Sequence, residues 1–517
     1  MLFDKILNKD NFIGCLVGGA LGDAMGYQIE FMNENEIKQK YGFVKDFMSS
    51  SKISDDTQMT LYTATGLLLG LSRVSTRGVG SIDDPIYVFK SYKTWLDGQL
   101  GRKSDELFSF LANVEHFNER RHPGNTCLSA LNQAYSNEEF GTIEKPINSS
   151  KGCGGVMRVS PVGLFYSHIR GSSASLAAEC GAKVSAITHG HSLSIMSSAY
   201  LSCLIYLLVW SQDLEHSVIE TNDVVFKMFE HDKHINEFKK IINKARELSK
   251  STKSDINAIH ELGSGWVAEE ALAIALYCSL KHKDSFIDAI AAAINHGGDS
   301  DSTGSICGNI IGALMGIDKI EQQFPSARKL EFYDLIGEIA SDLYDLEFGE
   351  NIDLIWSSKY LYFSYNGERT YADREKEDAQ LRERATNLNS DDYQALAKLI
   401  IANSAGKEWV MMSNCECDKD VENFFEKLNI KPNFYINYLT ELAKGNFDMC
   451  ETINKIYRLS IHDLGSFVYS LIDWRKNSDP MAGQFRPTCN MILGFALCEF
   501  LKRIGAIDKL FEHIKIW

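Results

Sequence analysis

The sequence predicts an all-α protein, and three observations support this class. Apolar residues recur at helical spacing in many runs over the first 350 residues. The same stretch shows no sustained alternation of period two, which half-buried strands would produce. The 44% hydrophobic content is ample for a large core. We therefore expect a compact helical domain over residues 1–350, a connecting segment over 351–384 and a smaller, mainly helical C-terminal module over 385–517.

The first predicted helix carries an apolar face and, on another face, a file of glycines. Gly14, Gly18, Gly22 and Gly26 recur every four residues. Because glycine costs roughly 1 kcal/mol in a helix interior, such a file indicates that another backbone approaches closely. We expect the helix to end near Gly26, and Glu30 follows it.

Two short segments are unusually rich in side-chain oxygen. Residues 54–57 read Ser-Asp-Asp-Thr and open a predicted helix, while residues 295–304 form a predicted loop between two buried helices. Asp301 or Ser302 is expected to cap the second of those helices. One interpretation of both segments is an ordinary acidic helix start. The other is a site for a hard divalent cation, because unpaired buried oxygens are costly and such cations bind carboxylate and hydroxyl oxygens.

Three further motifs are less specific. The glycine-rich stretch 150–158 could hold a phosphate through its backbone N–H groups, or it is merely a turn. His189 and His191 could bind a metal, although a hydrogen-bonded histidine is commoner. Trp266, at the start of a buried helix, could pack in the core or offer a platform to an aromatic ring.

Composition argues against several classes of partner. The net charge is −16, and there is no run rich in lysine and arginine, so we expect no direct binding of nucleic acid. The apolar runs Phe12–Met25 and Ile195–Trp210 are shorter than the ~20 residues that a bilayer requires, so we expect buried helices and no membrane contact. Twelve cysteines without a framework spacing and a polar start predict reduced thiols in the cytoplasm.

Within the C-terminal module we expect several shorter helices. The predicted helices are Asp391–Ile401, Val421–Leu428, Tyr435–Ala443 and Met491–Ile504.

Taken together, seven motifs resemble those of the ADP-ribosylglycohydrolase family, and they occur in the family's order over about residues 10–340. They are GCLVGGALGDAMGYQIEF (14–31), SDDTQMTL (54–61), RHPGNTCLSAL (121–131), KGCGGVMRVSPVG (151–163), THGHS (188–192), GWVAEEALAIALY (265–277) and NHGGDSDSTGSICGNIIGALMG (295–316). The resemblance implies a compact all-α hydrolase with two Mg²⁺ ions at its centre, Mn²⁺ being possible.

The resemblance also implies roles for individual residues. The implied metal ligands are Ser54, Asp55, Asp56, Asp299, Asp301 and Ser302, with Asp301 bridging the two ions. The implied catalytic residues are Glu30, Asp55, Asp56 and Asp301. The implied substrate-binding residues are Gly152, Cys153, Gly154, Gly155, Val156, Met157 and His189. Ser54 and Ser302 replace the commoner threonine but keep the hydroxyl, and Cys153 stands where several members have asparagine.

The resemblance further implies a reaction. Paired ions would orient ribose hydroxyls and activate a water, which attacks the anomeric carbon through an oxocarbenium-like state. Glu30 is the candidate general base or proton shuttle. The expected partner is an ADP-ribosylated protein or ADP-ribose itself, and arginine is the modified residue that we expect first. The alternatives are a hydrolase of ADP-ribosyl-serine or another ADP-ribosylated compound, and a non-catalytic ADP-ribose-binding protein.

Overall fold

A computed structural model of the chain describes ten segments. They are residues 7–77, 85–102, 106–137, 139–346, 352, 354–363, 379–394, 423–430, 464–471 and 496–507. Two compact units divide the chain, Met1–Glu350 and Asn351–Trp517.

The predicted all-α class is confirmed. The helices are α1 Lys9–Tyr27, α2 Glu34–Tyr41, α3 Asp55–Arg77, α4 Ile86–Gln99, α5 Asn125–Asn137, α6 Ser160–His168, α7 Ala174–Ala186, α8 Ser192–Ser211, α9 Leu214–Met228, α10 Ile235–Ser249, α11 Asp255–Leu262, α12 Ala268–Lys281, α13 Phe286–Ile294, α14 Ser300–Met315, α15 Ile317–Gln323, α16 Tyr333–Tyr344 and α17 Leu354–Tyr360. Over the described segments, extended backbone pairs only in an isolated bridge between Gly152 and Val267. Ser173, Asp213 and Ser285 start their helices by accepting a backbone N–H bond, which satisfies one orphan donor each.

The centre of the first unit is the pair α1 and α14, which meet along facing glycines. A Cβ atom on Gly18 would lie 2.6 Å from the carbonyl oxygen of Gly308, and one on Gly22 would lie 2.0 Å from that of Gly304. Neither position has room for a side chain, so the two backbones are in direct contact. The predicted close approach to the glycine file is confirmed, and α14 is the neighbour.

Helix α8 is a core helix. By length and composition it is the one helix in the described segments that could cross a membrane, and 94% of its most apolar window is buried inside the protein. This agrees with the expectation that Ile195–Trp210 forms a buried helix.

In the second unit, besides α17, the structure describes short helical segments at 379–385, 390–394, 423–427, 464–471 and 496–503. Three of these overlap predicted helices. The predicted helix Tyr435–Ala443 lies outside the described residues.

Candidate active site

The first acidic segment is anchored by an aspartate in the middle of α1. Asp23 is fully buried, and its carboxylate accepts the backbone N–H groups of Ser54 at 3.0 Å and Thr57 at 3.1 Å. The hydroxyl of Thr57 donates to the same carboxylate. Asp23 therefore fixes the start of α3, where Asp55 and Asp56 follow each other in the first turn.

Asp55 and Asp56 are both buried but differ in their partners. The backbone N–H of Gly124 donates to Asp55 Oδ2 at 3.2 Å. In contrast, Asp56 Oδ2 has no hydrogen-bond partner among the described residues, although it is buried. Glu30 Oε2 is likewise buried without a hydrogen-bond partner among the described residues. Such orphaned oxygens are costly unless a cation or a proton satisfies them.

The second acidic segment is held at the start of α14. Asp299 is the N-cap residue, and its Oδ1 accepts the backbone N–H of Ser302 at 3.3 Å. The expectation that Asp301 or Ser302 caps this helix is therefore wrong. The helix begins earlier, at Ser300, so Asp301 and Ser302 already lie in its first turn. Their side chains are buried, and Asp301 Oδ1 accepts the N–H of Ser302 at 2.9 Å.

The structure brings the two acidic segments and Glu30 together around Asp301. Burial is the largest cause that raises the pKa values of Asp23, Glu30, Asp55 and Asp56, and the neighbouring charge of Asp301 is the next cause for each. The pKa of Asp23 rises to about 7 and that of Glu30 to about 10. The charge of Asp301 thus acts on all four of these carboxyl groups.

These residues fit a hard cation in chemistry, because the cluster offers carboxylate and hydroxyl oxygens. No group of three His, Cys, Asp or Glu side chains within the described ranges is arranged as a ready-made ion site. Several oxygens point to backbone N–H groups instead, as at Asp55 and Asp301. The orphaned oxygens of Glu30 and Asp56 are the observation that favours a cation here.

The glycine-rich turn lies beside this cluster. The thiol of Cys153 donates to Asp299 Oδ2 at 2.7 Å. The backbone N–H of Cys153 donates to Trp266, and those of Val156 and Met157 both donate to the carbonyl of Cys153. Val156 and Met157 are buried, so their side chains belong to the core.

The glycines of this turn lie close to a buried histidine. Gly152 N–H donates to Ser150 Oγ at 3.3 Å. Gly154 and Gly155 lie in the single 3₁₀ turn Cys153–Gly155, which begins directly after Gly152. His189 is buried against the same turn, with Nε2 3.3 Å from the place of a Cβ on Gly154. The turn and His189, which are far apart in sequence, therefore lie against each other.

An exposed aromatic group lies next to Glu30. Phe31 and Trp266 stack with centroids 5.9 Å apart at 19°, and their exposed fractions are 66% and 43%. His122 packs against Phe31 at 5.6 Å, and its Nδ1 lies 3.8 Å from Glu30 Oε2. Sequence reasoning left Trp266 open between packing and a platform and did not select Phe31 or His122.

Asp23 is the main residue that sequence reasoning missed. Its signal was present, since a lone aspartate in an apolar, glycine-rich helix needs partners when it is buried. All of the predicted metal-site residues lie at one place in the structure, and so does Glu30.

Comparison with known proteins gives the class and then the family. A model of the family described as ADP-ribosylglycohydrolase matches residues 4–352. The match places the chain among enzymes that hydrolyse glycosidic bonds. Within that class, the chain belongs to the ADP-ribosylglycohydrolase family, whose members remove ADP-ribose from modified substrates. The family is metal-dependent.

Several relatives carry names. The ADP-ribosyl-[dinitrogen reductase] glycohydrolase of Rhodospirillum rubrum is 25% identical over 60% of this chain and 87% of its own length. The ADP-ribosylarginine hydrolase Tri1 of Pseudomonas putida is 23% identical over 65% and 78%. The ADP-ribosylhydrolase ARH3 of Bos taurus is 23% identical over 64% and 92%. A solved ADP-ribosylglycohydrolase-related protein complex aligns with 65% of this chain and 98% of its own, at 19% identity and a TM-score of 0.43.

Proposed function

We propose that this enzyme releases ADP-ribose from modified arginine side chains. The observation that carries this choice is the exposed pair Phe31 and Trp266 beside the buried acid Glu30. A guanidinium is flat and cationic, and it stacks on exposed aromatic faces. A serine hydroxyl offers neither property. One relative is named ADP-ribosylarginine hydrolase, which supports the same choice.

In this proposal, Glu30 moves the proton. Its Oε2 is buried, lies at the edge of the carboxylate cluster and has no hydrogen-bond partner among the described residues. The raised pKa favours a protonated Glu30 in the cation-free enzyme. A group in this position can give a proton to the departing nitrogen or take one from water. His122 Nδ1, 3.8 Å from Glu30 Oε2, is the nearest basic side-chain atom to this carboxyl group among the described residues.

The cation site is proposed for Ser54, Asp55, Asp56, Asp299, Asp301 and Ser302, with Mg²⁺ preferred and Mn²⁺ accepted. Bound divalent cations supply Lewis acidity and hold substrate oxygens in a fixed orientation. The carboxylates of Asp23 and Asp299 orient the neighbouring backbone, because each accepts N–H groups at a helix start. Asp301 would be the ligand common to both ions, as the resemblance to the family implies.

The test uses peptides of one sequence that carry ADP-ribose on arginine, serine or cysteine. Released ADP-ribose is measured with Mg²⁺ and with EDTA, for the wild type and for Asp301→Asn, which keeps the shape of the side chain. We expect release from the arginine peptide that is lost with EDTA and reduced at least a hundredfold in Asp301→Asn. Preferential release from serine, or activity that EDTA leaves unchanged, would contradict the proposal.

The arginine preference has its own control. Trp266→Leu should lower kcat/KM for the arginine peptide by about tenfold, the value of one partly desolvated cation–π contact. Phe43→Leu changes another exposed phenylalanine, which stacks on neither ring of the pair, and should have no effect. Equal losses in both variants would remove the role of the aromatic pair.

A further inference from the structure

A buried arginine contacts Thr188, the residue that precedes His189. Arg158 is fully buried, and its Cζ lies 4.5 Å from the centre of the Tyr92 ring. It makes no ion pair with a carboxylate in the described part of the chain. Its shortest contact is from Nη2 to the hydroxyl oxygen of Thr188, at 2.6 Å. Because a guanidinium can only donate, the oxygen of Thr188 is the acceptor in this bond.

Thr188 has a second short contact, with the next residue. Its Oγ1 lies 2.8 Å from His189 Nδ1. The hydroxyl has one hydrogen to donate, and the candidate acceptors are this nitrogen and the sulfur of Cys127, which also neighbours Thr188. A thiol sulfur is a weak acceptor and an imidazole nitrogen a strong one. The positive charge of Arg158 further polarises the hydroxyl toward donation, so Nδ1 accepts the hydrogen.

The ring of His189 is neutral. Burial, and next the charge of Arg158, lower its pKa to about 3. A neutral imidazole whose Nδ1 accepts must carry its hydrogen on Nε2. That atom faces the glycine-rich turn, 3.4 Å from the place of a Cβ on Gly152, and no hydrogen bond to it is found within the described segments.

We propose that Arg158 and Thr188 act as positioning residues that hold His189 in its Nε2–H tautomer, so that it donates to an oxygen of ADP-ribose bound at Gly152–Gly155. The other tautomer would present a lone pair to ribose and phosphate oxygens, which are themselves acceptors. The identity of the ligand rests on the proposed function, whereas the tautomer rests on the contacts of three buried side chains.

The tautomer is measured in the full-length protein labelled with ¹⁵N-histidine, from the chemical shifts of the two ring nitrogens of His189. Thr188→Val removes the hydroxyl and keeps the shape, and Thr188→Ser keeps the hydroxyl. Affinity for ADP-ribose is measured by calorimetry on the same three proteins. We expect the Nε2–H tautomer in the wild type and in Thr188→Ser. Thr188→Val should show mixed tautomers and bind ADP-ribose about tenfold more weakly, the value of one hydrogen bond.

A wild-type His189 that carries its hydrogen on Nδ1 would overturn the proposal, whatever the variants do. Equal affinity in Thr188→Val and Thr188→Ser would also overturn the positioning role. Wild-type protein that shows the Nε2–H tautomer but has no affinity for ADP-ribose would support the positioning of His189 by Arg158 and Thr188. It would refute the proposed function instead. If Thr188→Val fails to fold, Arg158→Lys, which keeps a donor, is compared with Arg158→Met on the same two readouts.

Discussion

The contact between α1 and α14 allows a quantitative prediction about Gly22. This residue lies on the seam, by which we mean the line of facing glycines where the two helices touch. A Cβ atom added at Gly22 would lie 2.0 Å from the carbonyl oxygen of Gly304. Real Cβ contacts essentially never fall below 3.0 Å, so Gly22→Ala requires the helices to separate by about 1 Å. The obstacle is backbone on both sides, and no side chain can rotate away.

That displacement acts on stability and on activity. Overpacking of this kind costs about 1–3 kcal/mol, or more where the backbone cannot yield. Asp23 follows Gly22 directly, and Asp301 precedes Gly304 by one turn. Moving these two carboxylates apart by about 1 Å should lower the rate of ADP-ribose release by about a hundredfold.

Urea denaturation and ADP-ribose release measure the two effects. The control is Gly337→Ala in α16, where the added Cβ meets only Ile13 Cγ2 at 3.8 Å, an ordinary contact. Since glycine is unfavourable in a helix, this control should be neutral or more stable by roughly 0.5–1 kcal/mol. A Gly22→Ala protein as stable and as active as the control would refute the reasoning about the seam.

Three other predictions concern the carboxylate cluster. Asp23→Asn replaces a carboxylate that accepts the N–H groups of Ser54 and Thr57, so urea denaturation should show a loss of about 1.5–3 kcal/mol; an unchanged midpoint would contradict the anchoring role. The folded-state pKa values of Asp23 and Glu30 are raised to about 7 and about 10. The cation-free fold therefore binds more protons than the unfolded chain above pH ~4, and its stability should fall as pH rises through that window. At one fixed Mg²⁺ concentration, about 100 times the Kd measured at pH 8, calorimetric scans should show Tm raised by about 4 °C at pH 8 and by less at pH 6. Equal shifts at the two pH values would count against a cation at these acids. Cys153→Asn keeps a donor toward Asp299 and Cys153→Ala does not, so calorimetry should give Mg²⁺ affinity nearer wild type for Cys153→Asn; the reverse order would contradict the role of that hydrogen bond.

The helical class and the place of the acidic segments followed from the sequence because they depend on local patterns. Helical spacing of apolar residues requires no knowledge of the neighbours, and a glycine file on a helix implies a close neighbour without saying which one. The structure identifies that neighbour as α14, which carries its own glycines at Gly304, Gly308 and Gly312.

What the sequence left out depends on contacts between distant residues. Phe31 and Trp266 are 235 positions apart, so their stacking could not be seen in either segment alone. The predicted caps of α14, Asp301 or Ser302, are wrong because several polar residues in this segment could begin the helix. Only the hydrogen bonds identify Asp299 as the cap. The contact between the glycine-rich turn and His189 likewise exists only in the fold, because the two segments are separated in sequence.

The starts of α3 and α14 both lie in the carboxylate cluster. Each helix terminus carries an effective charge of about +0.5 from its aligned peptide dipoles, so the backbone itself offsets about one of the buried negative charges. Part of the cluster's negative charge is thus compensated by the fold itself, unlike in a zinc finger, in which the metal drives folding. Under the proposed function, binding and release of the cation should then be reversible events of the folded domain.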